Sequence, residues 1–140
     1  MAKDLFWSVL DNLKFQYPGF GGKNYKGMAR RFKRTINIVD SSTISLIANC
    51  MDWAKHRRRK TAAKFHMRLD LQSFLPKFVL IKPAKHSDST TAYELCANMK
   101  PREIVVFDKA YVDFVHLFRL DQREIFWVIR AKDNMHYKKK

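Results

Sequence analysis

The sequence predicts an α/β fold: a mixed sheet with flanking helices. Three patterns carry that expectation. Residues 62–71 alternate, with Ala63, Phe65, Met67, Leu69 and Leu71 on one side and Lys64, His66, Arg68 and Asp70 on the other, the period-2 mark of a half-buried strand. Residues 104–107 and 125–129 are continuous apolar runs, as expected of strands covered on both faces. Stretches of helical spacing lie before, between and among these strands, an order that favours crossover connections.

Taken in order, residues 3–15 place Phe6, Val9, Leu10 and Leu13 at helical spacing. Tyr17-Pro18-Gly19 ends that helix. All four glycines lie between Gly19 and Gly27, in a connector whose spacing fails the phosphate-loop pattern at Gly22-Lys23-Asn24. Residues 35–40 read as a strand. Ser41-Ser42-Thr43 either caps a helix or continues the sheet, and Ile44, Ile47, Ala48 and Met51 favour a short helix. Residues 75–81, with Pro76 at the start, form a hairpin with the alternating strand. Thr91-Ala92-Tyr93-Glu94 matches a capping box and starts a helix through about Asn98, which Pro101 stops. Tyr111, Phe114, Val115 and Phe118 then form a helical stripe.

The chain has 140 residues, enough for one modest core. Lys and Arg total 28 against 13 Asp and Glu, a formal net charge of +15. Self-repulsion on that scale calls for a polyanionic partner, with nucleic acid ahead of a membrane surface. Arg30, Arg31 and Arg34 belong to a basic arm without acidic residues, and Arg57, Arg58, Arg59 and Lys60, followed by Lys64, form the densest positive charge. Both stretches are either solvated loops or contacts to a phosphate backbone, for which guanidinium is well suited. Cys50 and Cys96 have no metal-ligand spacing and no partner base, so zinc chemistry, a disulfide framework and thiol catalysis find no support. No apolar run reaches membrane-spanning length and no signal peptide is visible; the expectation is a soluble, cytoplasmic, nucleoid-associated protein.

Two strands are followed by a carboxylate: Asp40 after 35–39 and Asp108 after 104–107. In open α/β sheets functional groups collect beyond the carboxyl ends of central strands. If these strands are parallel neighbours, the two carboxylates face each other within reach of one divalent ion, and Mg²⁺ takes one or two carboxylates together with phosphate oxygens. Alternatively, each Asp ends its strand and opens a turn or caps a helix. His66 reads as an exposed strand histidine, Asp88 as a cap, and Asp113 as a supporting group or a surface charge.

Several segments resemble, in order, the motifs of bacterial DDE transposases of insertion-sequence family four. They are Val39-Asp40-Ser41-Ser42-Thr43-Ile44; Trp53 to Lys60 with Lys64-Phe65-His66 and Leu69-Asp70; Leu75-Pro76-Lys77-Phe78-Val79 with the His86/Asp88 loop; Val106-Phe107-Asp108-Lys109-Ala110-Tyr111-Val112-Asp113-Phe114; and Phe126 to Met135. The resemblance runs from about Arg34 to Met135. It implies a ribonuclease H-like catalytic domain over 33–140, preceded by an N-terminal helix and basic arm over 1–32. It further implies Asp40 and Asp108 as catalytic metal ligands, Mg²⁺ or Mn²⁺ as cofactor, and nicking and strand transfer at the transposon ends of DNA. A homodimer or a full-length transposase is the implied protein partner.

Two departures accompany it. Lys109-Ala110 stands where Arg-Gly is more usual. The family's third ligand is a Glu in a later helix, within a Tyr-Arg-Glu-Lys signature, whereas Glu94, Glu103 and Glu124 lie elsewhere and the sequence ends at Lys140. The expectation is therefore a domain incomplete at its C-terminus, inactive alone. The alternative is a non-catalytic nucleic-acid-binding protein or an inhibitor of the full-length transposase.

Overall fold

The structure, a computed structural model, describes residues 2–17, 20, 31–46, 55–56 and 60–133. Helix α1 (Ala2–Gln16) is followed by strands β1 (Ile36–Leu46), β2 (Lys55–His56), β3 (Lys60–Asp70) and β4 (Pro76–Pro83). Then come α2 (Asp88–Cys96), β5 (Ile104–Phe107), a 3-10 turn (Lys109–Tyr111), α3 (Phe114–Gln122) and β6 (Phe126–Ile129). The expected connector at Gly19–Gly27, Arg30, residues 47–51 and Arg57, Arg58 and Arg59 lie outside the described residues.

The sheet is mixed. Its order is β2-β3-β1-β5-β6, with β4 also paired to β3. β1 and β4 each pair antiparallel with β3, the latter through the short connection 71–75, while β1–β5 and β5–β6 are parallel. The parallel pairs need crossovers, and α2 and α3 supply them. One face of the sheet carries the main core. Val39, Val105 and Phe107 pack there against Ala92, Leu95 and Cys96 of α2 and Leu117 and Leu120 of α3. On the opposite face Phe65 of β3 meets Phe6 of α1 edge-on, with ring centroids 6.0 Å apart.

α1 matches its expected range, but only Leu10 of its stripe is fully buried, and Val9 is 51% exposed. Its Asp4 and Lys14 sit at the ends that favour negative and positive charge respectively. β1 corrects the expected short helix after Asp40. It continues as strand to Leu46, and its register with β3 runs from Asn37↔Asp70 to Leu46↔Thr61. β-branched Thr43 and Ile44 suit that extended path, and β3 satisfies the backbone groups that a helix would otherwise have satisfied internally.

β3 is the strand that its alternation foretells, with the burial inverted. His66, Arg68 and Asp70 are buried, whereas Phe65, Met67 and Leu69 are only partly so. The polar face is tolerated because α2, the 3-10 turn and β4 bring partners to it. Arg68 donates to the Leu95 carbonyl at 2.8 Å, and Lys77 pairs with Asp70 at 2.9 Å. His66, expected to be exposed, is fully buried.

α2 begins earlier than the apparent capping box. Ser87 is its N-cap residue, and Thr91 lies inside the helix with its hydroxyl donating to the Ser87 carbonyl at 3.1 Å. Glu94 instead reaches Lys82 at 2.7 Å. Arg123 donates to the carbonyls of Cys96, Ala97 and Met99 and so satisfies groups that the end of α2 leaves over.

α3 is capped by Asp113, whose carboxylate accepts from the His116 amide at 3.0 Å. Its buried residues are His116, Leu117 and Leu120, and the expected stripe of Phe114, Val115 and Phe118 is exposed. The helix ends in a Schellman arrangement. Glu124 takes φ 56°, its amide donates to the Asp121 carbonyl at 2.9 Å, and the Ile125 amide reaches the Leu120 carbonyl at 2.9 Å. The buried Leu120 and Ile125 close its apolar side. That closure fixes which face of α3 turns inward. β6, expected to be covered on both faces, instead exposes Phe126, Trp127 and Val128, and among the described residues it is the outermost strand beside β5.

Candidate active site: three strand ends at one level

Parallel pairing aligns β1 with β5 and β5 with β6. The last registered pairs are Val39↔Phe107 and Phe107↔Ile129. The next residue on each strand is Asp40, Asp108 and Arg130. Adjacent strands are about 4.8 Å apart, so the three side chains leave the sheet at one level.

Asp40 does not end its strand, contrary to the simplest reading of the sequence. β1 continues along β3, and only its pairing with β5 stops at Val39. Asp40 is therefore exposed where the neighbouring strand departs, and one of its oxygens accepts from the Ser41 amide at 2.8 Å. It projects to the face opposite Val39, because successive side chains alternate.

Asp108 occupies the N-cap position of the 3-10 turn, yet its side chain makes no capping hydrogen bond. Instead Arg130 Nη2 lies 3.2 Å from Asp108 Oδ1, in a pair whose side chains are 67% and 49% exposed. Asp108, Lys109, Ala110, Lys132 and Asp133 line a depression of about 590 Å³, and Lys109 pairs with Asp133 at 3.3 Å. Asp40 is not part of that wall.

Oxygen donors of this kind suit a hard divalent cation, which accepts one or two protein carboxylates and completes its shell with water or phosphate. Asp40 and Asp108 bring carboxylate oxygens of that chemistry to one level of the sheet. Among the described residues, no group of three His, Cys, Asp or Glu side chains is arranged to hold a metal.

The basic candidates do not converge on this point. Lys64 lies on the packed face, with its ammonium 2.9 and 3.0 Å from the two Asp88 oxygens. Arg31 and Arg34 are exposed before β1. Arg34 stacks over Phe126 at 4.3 Å and lies before β1, so the strand from Ile36 to Asp40, about 13 Å, separates it from the carboxylate. Arg57, Arg58, Arg59 and Arg30 lie outside the described residues, as does the side chain of Lys60.

Sequence patterning alone does not single out Arg130 or Lys109 as site residues. A signal for Arg130 existed: it follows an apolar run just as Asp40 and Asp108 do. That signal is weak because Arg130 is a cation in a chain full of cations.

Beneath the carboxylates is a buried polar chain. His66 Nδ1 is 3.3 Å from the Tyr111 hydroxyl and 3.8 Å from Asp88 Oδ1. Ser41, the register partner of His66, is on the same face of the sheet. Burial lowers the His66 pKa, with Asp88 opposing and Lys64 and Lys82 adding to the shift. Burial pushes the Tyr111 hydroxyl up to about 12, reinforced by Asp88, Asp40 and Asp108. The pair is thus a neutral imidazole and a protonated phenol at ordinary pH. Cys96 is fully buried, and burial pushes its thiol up to about 12, which leaves it an inert part of the core.

A family model described as "Transposase DDE domain" matches residues 31–140. The chain is 28% identical over 111 residues to a probable transposase for insertion sequence element IS5377 of Geobacillus stearothermophilus, covering 78% of this chain and 29% of that protein. It is 26% identical over 106 residues to the transposase for insertion sequence element IS231E of Bacillus thuringiensis subsp. finitimus, covering 73% and 22% respectively. The chain thus spans less than a third of the length of either relative. Among solved structures, a piggyBac transposase in a synaptic complex with hairpin DNA superposes with a TM-score of 0.54, at 11% identity, over 71% of this chain and 23% of that one. That likeness concerns fold: the mixed sheet with flanking helices is a ribonuclease H-like α/β arrangement.

Proposed function

The chain belongs to the transposase DDE domain family, and on that premise we propose that Asp40 and Asp108 are two acidic ligands of a site for nicking and transferring DNA strands at transposon ends. The observation that carries this reading is the register: Val39 pairs with Phe107, so the two carboxylates follow at the same level on adjacent parallel strands. Mg²⁺ or Mn²⁺ bound between them would supply Lewis-acid polarisation of a phosphodiester.

The protein's own groups have separable tasks. Asp40 and Asp108 hold the cation. Lys109 and Lys132, on the wall of the depression beside Asp108, attract phosphate. Arg130 neutralises Asp108 when no cation is present. Arg31 and Arg34, at the far end of β1, contact DNA backbone away from the reacting phosphate. Lys64 serves α2 through Asp88 and is left out of the DNA surface.

Among the described residues no third acidic side chain joins Asp40 and Asp108, and on this reading the pair alone supports DNA binding without cleavage. Fluorescence anisotropy with transposon-end duplexes should give binding that weakens steeply with salt, as counterion release requires. Gel assays in Mg²⁺ should show no nicking. Robust nicking abolished by Asp40→Ala would contradict the need for a third ligand, and DNA binding indifferent to salt would contradict the backbone contacts.

A further inference from the structure

Tyr111 joins three parts of the site at once. Its amide donates to the Asp108 carbonyl at 3.1 Å, closing the 3-10 turn that Asp108 opens. Its hydroxyl lies 3.3 Å from His66 of β3, the strand that pairs with β1 at and beyond Asp40. Ser41, the residue after Asp40, is the register partner of His66 in the β1–β3 ladder. The ring is 1% exposed and packs beside Phe107 at 5.9 Å. Through His66, one buried side chain thus ties the β1–β3 ladder bearing Asp40 to the turn bearing Asp108, on the face of the sheet away from Asp40.

We propose that Tyr111, held by His66, is a positioning residue that sets the spacing of the Asp40 and Asp108 carboxylates. This rests on the reading of those carboxylates as a metal pair. β1 loses its β5 partner after Val39, so backbone pairing alone no longer fixes Asp40 relative to Asp108. The Tyr111 hydroxyl restores a link across that gap. Its neighbours support a fixed orientation. Asp88 and Lys64 form an ion pair behind His66, and Lys82 pairs with Glu94 beside it.

The test is Tyr111→Phe in the whole chain, which keeps the ring and removes only the hydroxyl. Mn²⁺ affinity, read by calorimetry, should fall about ten-fold, as when an outer partner of a metal ligand is lost. Ile125→Ala, a core change before β6 at the end of the parallel strands away from Asp108, is the control for general loosening: it should lower the melting temperature and leave Mn²⁺ affinity unchanged. The second readout needs no metal. With ¹³C-labelled aspartate at neutral pH, Tyr111→Phe should move the carboxyl signals of both Asp40 and Asp108, and Ile125→Ala should move neither. Unmoved signals in Tyr111→Phe would overturn the positioning role. Moved signals in a protein that binds no Mn²⁺ would uphold it and refute the metal reading instead.

Discussion

Asp108 and Arg130 follow the registered pair Phe107↔Ile129, and their side chains meet at 3.2 Å across the ends of β5 and β6. The contact places a cation on one oxygen of a carboxylate that would otherwise be available to a metal ion. It is exposed on both sides, so it contributes little to folding.

Arg130→Ala is therefore expected to separate stability from binding. The melting temperature should stay close to the wild-type value, because an exposed pair of this kind is worth roughly 0–1 kcal/mol. Mn²⁺ affinity should rise, because the competing guanidinium has gone. Calorimetry on the two proteins at low ionic strength measures the difference. A fall in affinity would show that Arg130 supports the ion and does not compete with it.

Stability should fall on acidification below the ordinary histidine range. His66 and His116 both have pKa values lowered from 6.5, chiefly by burial. The unfolded chain takes up protons near 6.5 that the folded chain refuses, so stability is full above that value. It declines as pH falls from there towards the lowered folded values. Urea titrations across this range should show the decline, and a His66→Gln, His116→Gln double variant should show a flatter one.

The end of α3 offers a third measurement. Glu124 holds φ 56° in a Schellman turn where glycine is the usual occupant. Relief of that backbone conformation in Glu124→Gly should stabilise the fold by up to about 1 kcal/mol, less the entropy that glycine adds to the unfolded chain. Thermal unfolding reads the change directly.

The element types were largely legible in the sequence, because alternation and apolar runs report local backbone shape. Which face of each element would be buried was less so. The pattern of β3 set Phe65, Met67 and Leu69 inward, yet His66 and Arg68 are the more buried. Their partners, Tyr111 and the Leu95 carbonyl, come from elements 45 and 27 residues away. Local periodicity contains no trace of them. The stripe at Phe114, Val115 and Phe118 misled for a similar reason: the turn at Glu124 sets the inward face of α3.

Asp40 and Asp108 were visible as residues that follow strands. Their alignment needed the parallel β1–β5 register, which a sequence read alone leaves open. The Tyr111–His66 link depends on the same tertiary pairing. By contrast, Lys64 looked like one more member of a basic cluster, and only its packing against Asp88 assigns its charge a local partner.

Mn²⁺ titration of the wild-type chain, Asp40→Asn and Asp108→Asn, with folding monitored by circular dichroism, tests the carboxylate pair most directly. Both substitutions are at exposed positions, so each variant should fold with little loss of stability. The expected result is a weak Mn²⁺ site in the wild-type chain that each single substitution removes. A site that survives both substitutions unchanged would contradict the account.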